Sequence, residues 1–113
     1  MARLWNGGRV PELRCEAVRW VDDEPFPGIV EVRFIDATGH CWSLIDKCAI
    51  FAQLGELTPA STYPVEVTVA CVVQGVGVGA VGDEIVTVST SPDSVATLDG
   101  QNTFTVRRSQ LLQ

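Results

Sequence analysis

Polar and apolar positions alternate with a period of two through residues 28–46. In Ile29–Ile35, Val30, Val32 and Phe34 fall on one side, and Glu31 and Arg33 on the other. That is the pattern of a strand with one wet face. Asp36-Ala37-Thr38-Gly39 supplies turn chemistry, and a type I turn closed by a left-handed, bulged Gly39 sets Asp36 opposite His40. Counting back from that corner, Phe34 faces Trp42 and Val32 faces Leu44. The register gathers Val30, Val32, Phe34, Trp42 and Leu44 on one face, onto which the rest of the chain is expected to pack. The outer face carries Glu31, Arg33, Ser43 and Ile45, with Ile35 and Cys41 near the turn. Its mixed character suits either cover by another element or the docking of a partner.

Other segments read less sharply. Residues 1–11 form an extended lead-in that Leu4 and Trp5 would anchor. Glu12–Val21 is the first strand. Leu13, Cys15 and Ala17 share one side and Val18 and Trp20 take the other, and this change of parity predicts a bulge or a crossing between packing environments. Asp22-Asp23-Glu24-Pro25-Phe26-Pro27-Gly28 is a loop by charge and breaker content. After Asp46 the period lengthens. A helix over Lys47–Leu54 is expected, capped by Asp46, with Ile50, Phe51 and Leu54 on one side and Gly55 as a left-handed stop. Tyr63–Val73 reads as the longest strand, and its second half, apolar on both sides, as central in a sheet. Gln74–Asp83 is a glycine-rich hairpin loop, and Glu84–Ser89 returns with Val86 and Val88 inward. Ser91–Leu98 holds a helical turn opened by Pro92, and Asp99-Gly100 turns. Thr103–Val106 is the last strand, with Phe104 and Val106 inward, and residues 107–113 are a short tail. The expected fold is one mainly β domain over residues 1–113. It would be a small antiparallel barrel or a compact sandwich, with about six strands and one or two short helical turns.

Charge narrows the partners. Fourteen acids face seven arginines and Lys47, for a formal charge of -6. Nucleic acid and anionic membranes call for a net basic footprint, so neither is an expected partner. A basic protein partner is compatible with this balance, and so is a charge that only keeps the domain soluble. Met1–Val10 has no apolar core of signal-peptide length, and Glu66, Thr68, Gln74 and the glycines interrupt the run Val65–Gly82. A cytoplasmic location is therefore expected, where the four cysteines stay reduced.

Candidate chemistry is sparse. Gly77-Val78-Gly79-Ala80-Val81-Gly82 has the spacing of a dinucleotide-binding fingerprint. Asp83-Glu84 would repel a phosphate, however, and the β-branched run after them makes a strand where the fingerprint needs a helix. His40 and Cys41, adjacent on a strand, point to opposite faces and do not form a pair. A cysteine-histidine enzyme would need Cys15, Cys48 or Cys71 to approach His40. These residues with Cys41 lack the close spacing of a structural zinc site, and no metal or cofactor is expected. The carboxylates, Asp36 and Asp46 included, fall mostly at strand ends, as solvated caps do. The resulting expectation is a non-enzymatic module that binds a protein partner. Asp22, Asp23, Glu24, Asp83 and Glu84 would steer it onto a basic partner, and Trp20 is a candidate anchor. Small acidic proteins that neutralise basic toxins work this way, a likeness of charge and size alone. A ligand-binding barrel or cysteine enzyme beside the glycine loop, with Cys41 or Cys48 reactive, is one alternative. A self-associating subunit, joined by an edge strand or the Ile35/Cys41/Ile45 face, is another.

Overall fold

The computed structural model describes residues 10–53 and 55–112. The expected contacts of Leu4, Trp5 and Leu54 lie outside the described residues. The elements run β1 (Glu12–Asp22), β2 (Ile29–Ile35), β3 (Cys41–Lys47), a single helical turn α1 (Cys48–Phe51), β4 (Val65–Ala70), β5 (Val72–Val78), β6 (Glu84–Ser89), β7 (Thr103–Arg107) and β8 (Leu111–Leu112). Short 3-10 turns precede β7 and β8, at Ser91–Asp93 and Arg108–Gln110. All pairings are antiparallel. One sheet has the order β3-β2-β1-β4, with β8 also pairing β1, and the other has the order β5-β6-β7. The sheets do not close into a barrel, and the chain takes the sandwich form.

The β2–β3 hairpin has the register read from its corner. Phe34 pairs with Trp42, Val32 with Leu44 and Ile35 with Cys41. Asp36 N–H donates to His40 O at 2.8 Å, and Gly39 N–H to Asp36 O at 3.0 Å, with Gly39 at φ +91°. The same five-residue corner recurs at Gly79–Asp83 and Thr97–Gln101, where Gly82 and Gly100 hold the left-handed position. Glycine tolerates that φ without the Cβ clash that penalises other residues. The parity change in β1 is a bulge: Ala17 pairs with Val32, Arg19 with Glu31 and Trp20 with Val30. Val18 is the extra residue, so Trp20 returns to the core side.

Three expectations are corrected. Strand pairing continues through Lys47, which sits opposite Ile29, and Cys48 N–H then donates to Gly28 O at 2.9 Å. Asp46 is therefore a strand residue, and the helix shrinks to one turn, with Phe51 buried and Ile50 half-buried. The expected Tyr63–Val73 strand is broken at Cys71, where the chain leaves one sheet and enters the other. Being apolar on both sides marks that crossing. The strand is not central, since β4 and β5 each form a sheet edge, and Ala70 and Val72 turn outward. The supposed glycine loop is mostly strand, with β5 paired to β6 as far as Val78 opposite Glu84. Among the described residues the strand count rises to eight, because the crossing divides one strand and the tail adds β8.

Leu13, Ala17, Val30, Val32 and Leu44 from the first sheet meet Val86, Val88 and Val106 from the second, all with 0% exposure. Phe34 and Phe104 meet edge to face at 5.0 Å between ring centroids, and Trp42 lies 5.2 Å from Phe104. These rings join the hairpin to β7. Ala37 N–H adds a hydrogen bond to Thr105 O at 2.9 Å.

Gly28 tests the local packing. Its φ is +121°, and a Cβ there would overlap the Trp20 ring. At Gly39, also left-handed, a Cβ meets nothing within 4 Å. Gly39→Ala should thus carry only the backbone cost, about 1–2 kcal/mol. Gly28→Ala should cost more in urea unfolding, because the ring must move as well. Equal losses would contradict this packing.

Candidate functional site

Among the described residues, the surface that most lacks a partner is β5. Its sequence, VVQGVGV, is rich in the β-branched residues that favour strands, and it carries no charge. Gly79 N–H donates to Asp83 O at 2.7 Å. Antiparallel ladders alternate bonded and non-bonded pairs, so Gly77 and Gly75 turn their main-chain groups to β6. Val76 and Val78 turn theirs to the outer edge. A bulge around Gln74 then puts Val76 opposite Val86, on the same face. Val86 is fully buried, yet Val76 is 60% exposed and Val78 73%. The core ends beneath β6, and the valines beyond it face solvent. Val81, at the adjoining corner, is 87% exposed.

The remaining edges are better guarded. Ala37 blocks β7 through its bond to Thr105 O, and α1 and the turn at Ser91–Asp93 lie against β4. The outer edge of β3 is open, but β3 ends in Asp46 and Lys47, and Trp42, Leu44 and Ile45 are buried or half-buried. Charge on an edge deters strand addition, and β5 has none.

A second surface is an open groove of about 830 Å³ on the outer face of the first sheet, lined by Arg14, Glu16, Arg33, Cys41, Glu66 and Arg107 among others. Beside it Glu31, only 5% exposed, accepts from Ser43 Oγ at 2.6 Å, Arg19 Nε at 2.6 Å and Arg33 Nε at 3.1 Å. Ser43's hydrogen bond is the main reason the Glu31 carboxyl lies below its ordinary range; the two arginines add to it, against burial. Arg33 is thus held by Glu31, and Arg107 by Asp83 at 3.5 Å. The groove carries both charge signs on exposed strands and has no enclosed floor.

The acids expected to act together are not brought together. Asp22, Asp23 and Glu24 lie exposed in the β1–β2 loop, where Asp23 Oδ1 accepts the Trp20 indole N–H at 2.8 Å and Asp22 Oδ1 accepts Glu24 N–H at 3.0 Å. Trp20 is half-buried above Gly28 and packs against the core. Asp83 and Glu84 sit by Arg107 and Arg108, at 3.5 and 3.9 Å. The first loop leads into Ile29. The second cluster adjoins the segment whose Gln110 Nε2 donates to Ile35 O at 2.8 Å. The length of β2, about 20 Å, separates them.

The residues weighed for chemistry are also dispersed. His40 lies against Trp42 with ring centroids 4.2 Å apart and planes tilted by 59°, whereas Cys41 lines the outer groove. Cys15, Cys48 and Cys71 are buried, and all four cysteines are free thiols. Burial pushes the Cys15 thiol up to about 12 and Cys71 to about 11, which suppresses the reactive thiolate. Among the described residues, no group of three His, Cys, Asp or Glu side chains converges as a metal site would require. None of their helices is long and apolar enough to cross a membrane. The fingerprint-like glycines lie on a strand and at a hairpin corner, with no helix after them. Comparison with family models, with curated proteins and with solved structures finds no match to this chain.

Sequence reasoning missed two features. The outward valines were signalled by the alternation Val76-Gly77-Val78 and the uncharged run around it. Asp36, read as a solvated cap, is 7% exposed. Its Oδ1 accepts Thr38 N–H at 2.8 Å, Thr38 Oγ1–H at 2.7 Å and His40 N–H at 3.0 Å, and its Oδ2 accepts the Trp42 indole N–H at 2.8 Å. Burial alone would raise this carboxyl, but the hydrogen bonds from Thr38, Trp42 and His40 outweigh it and hold it below the usual carboxylate range.

A folded-state pKa below the unfolded value adds stability above the unfolded pKa, and that stability is lost as pH falls through the folded one. Asp36→Asn should therefore be less stable by about 1–3 kcal/mol near neutrality. Measured by urea unfolding across pH, the gap from the parent should narrow below about pH 4. A gap that stays constant to low pH would contradict the ionised clamp. Thiol labelling followed by mass spectrometry should modify Cys41 first, with Cys15, Cys48 and Cys71 reacting only as the chain unfolds.

Proposed function

We propose that the protein is a non-enzymatic protein-binding module that accepts an extended strand of its partner along β5. The observation that supports this reading is the edge itself: two valines that are exposed, lie on a strand without charge and turn outward through both main-chain groups. In strand addition, main-chain hydrogen bonds supply affinity and alternate side chains supply selection. A partner strand of alternating apolar residues would complete the ladder at Val76 and Val78 and cover their side chains. The chain's net charge of -6 favours a basic partner. The same charge disfavours nucleic acid and anionic membranes.

A cysteine-dependent enzyme is a weaker reading. Cys41 has no histidine on its face, and the other thiols are buried.

The test is a library of extended octapeptides, read by NMR shift changes on the full chain. Peptides alternating apolar residues and flanked by Lys or Arg should perturb Val76 and Val78, and binding should weaken as salt rises. Val76→Lys/Val78→Lys should fold with near-parent stability, since both sites are exposed, and lose binding at least tenfold. Peptides that bind the lysine variant equally well, or that perturb only the outer groove, would overturn the reading.

A further inference from the structure

We infer that the strand received by β5 is β5 of a second copy of this chain, paired antiparallel about a two-fold axis at Gly77. The inference rests on the reading of β5 as a binding edge and takes a second copy, in place of a basic partner, as its occupant. A two-fold interface must be self-complementary, each residue meeting a partner that meets it in return. The segment Gly75-Val76-Gly77-Val78-Gly79 reads the same in both directions about Gly77. Antiparallel pairing on that axis sets Val76 of one copy against Val78 of the other, Gly75 against Gly79, and Gly77 against itself.

The main-chain parity agrees. Val76 and Val78 are the residues whose N–H and C=O groups face the edge, so the two Val76–Val78 pairs are the hydrogen-bonded ones, each exchanging both N–H···O bonds. Gly77 then falls at the non-bonded site, where Cα atoms approach to about 4.5 Å and side chains come closest. Glycine leaves that approach unobstructed. Shifting the axis by half a residue, to lie between Val76 and Gly77, would oppose residues whose main-chain groups point opposite ways, and no ladder could form, whereas an axis on Val76 would pair that residue with itself and set Val78 against Gln74 at the bulge. The parity requires an axis through a residue, and the palindrome places it at Gly77.

The charge of -6 on each copy opposes the contact, so added salt should strengthen it, but the paired segment itself carries no charge. From Val72 to Gly82 the chain is uncharged, so no like charges meet across the axis. Asp83 and Glu84 lie beyond the symmetric segment and face Arg107 and Arg108 of their own chain. The axis is perpendicular to the sheet, so the valines of both copies stand on one face and shelter one another. Two three-stranded sheets become one continuous sheet. The contact is short and falls below the roughly 1,200 Å² of a standard stable interface, so the dimer is weak.

The experiment is sedimentation of the full chain from about 10 µM to about 1 mM, with amide exchange read over the same range; a Kd of 1 mM or tighter populates the dimer at its upper end. A monomer–dimer equilibrium is expected, with the Val76 and Val78 amides slowing as the dimer fills. Val78→Lys should weaken association at least tenfold, with parent-like circular dichroism and unfolding. A dimer unaffected by Val78→Lys would overturn the inference by placing the contact elsewhere. So would a chain that stays monomeric at 1 mM while its Val76 and Val78 amides are protected, since another segment of the same chain then holds the edge. A monomer that still binds strand peptides at β5 overturns self-pairing and leaves the binding reading intact; one that binds none overturns both.

Discussion

The carboxylate of Asp36 governs how the two sheets meet. It sits at the corner of the β2–β3 hairpin, almost out of solvent, and accepts from the main chain of Thr38 and His40, the Thr38 hydroxyl and the Trp42 indole. The first three bonds close the corner and fix the register of β2 against β3. The fourth turns Trp42 toward Phe104, and Phe34 reaches the same ring from the neighbouring strand. The corner also docks on β7 through Ala37. One side chain thus links a local turn to the junction between sheets. Burying a charge is costly unless its oxygens are satisfied, and here both are. Removing the clamp would leave the indole N–H, the Thr38 hydroxyl and two main-chain donors without this acceptor, a larger loss than the turn alone would suggest.

The consequences run to the opposite edge. The sandwich is joined on one side by this aromatic junction and on the other by the chain crossing at Cys71. The junction uses the edge of β7, so among the described residues the edge left exposed in the second sheet is β5. Past the crossing, β5 extends beyond the core, which is why Val76 is exposed while its cross-strand neighbour Val86 is buried. Exposure of the valines is therefore a result of where the two sheets are fastened. The functional proposal follows from this geometry, since no assembly of reactive groups has formed among the described residues.

Parts of the chain were legible because their causes are local. Turn chemistry at Asp36–Gly39 and a period of two on each side determine the hairpin register, and both are written within twenty residues of each other. The bulge in β1 was visible as a parity change at Val18, because a single extra residue flips every later side chain. The crossing at Cys71 was not legible. A strand changing sheets and a strand buried on both faces share one apolar pattern, and only the position of distant strands separates them. The helix after β3 was overstated because Asp46 suits a cap locally, whereas its pairing with Val30, continued by Lys47 with Ile29, holds it in the sheet. The acids of the two loops looked like one surface because sequence gives no distance between them, and β2 keeps them apart. Asp36 looked solvated because turn acids usually are, and its burial depends on Trp42 and β7 closing over it.

The most direct test of this account is hydrogen exchange at two groups of the hairpin, the Ala37 amide and the Trp42 indole N–H, followed by NMR in dilute native protein. If Asp36 fastens the corner to the second sheet, both should exchange only through global unfolding, as slowly as the amides of Val86 and Val88 in the core. Exchange of either group orders of magnitude faster than the core would mean that the corner opens independently, and that the junction of the sheets does not depend on it.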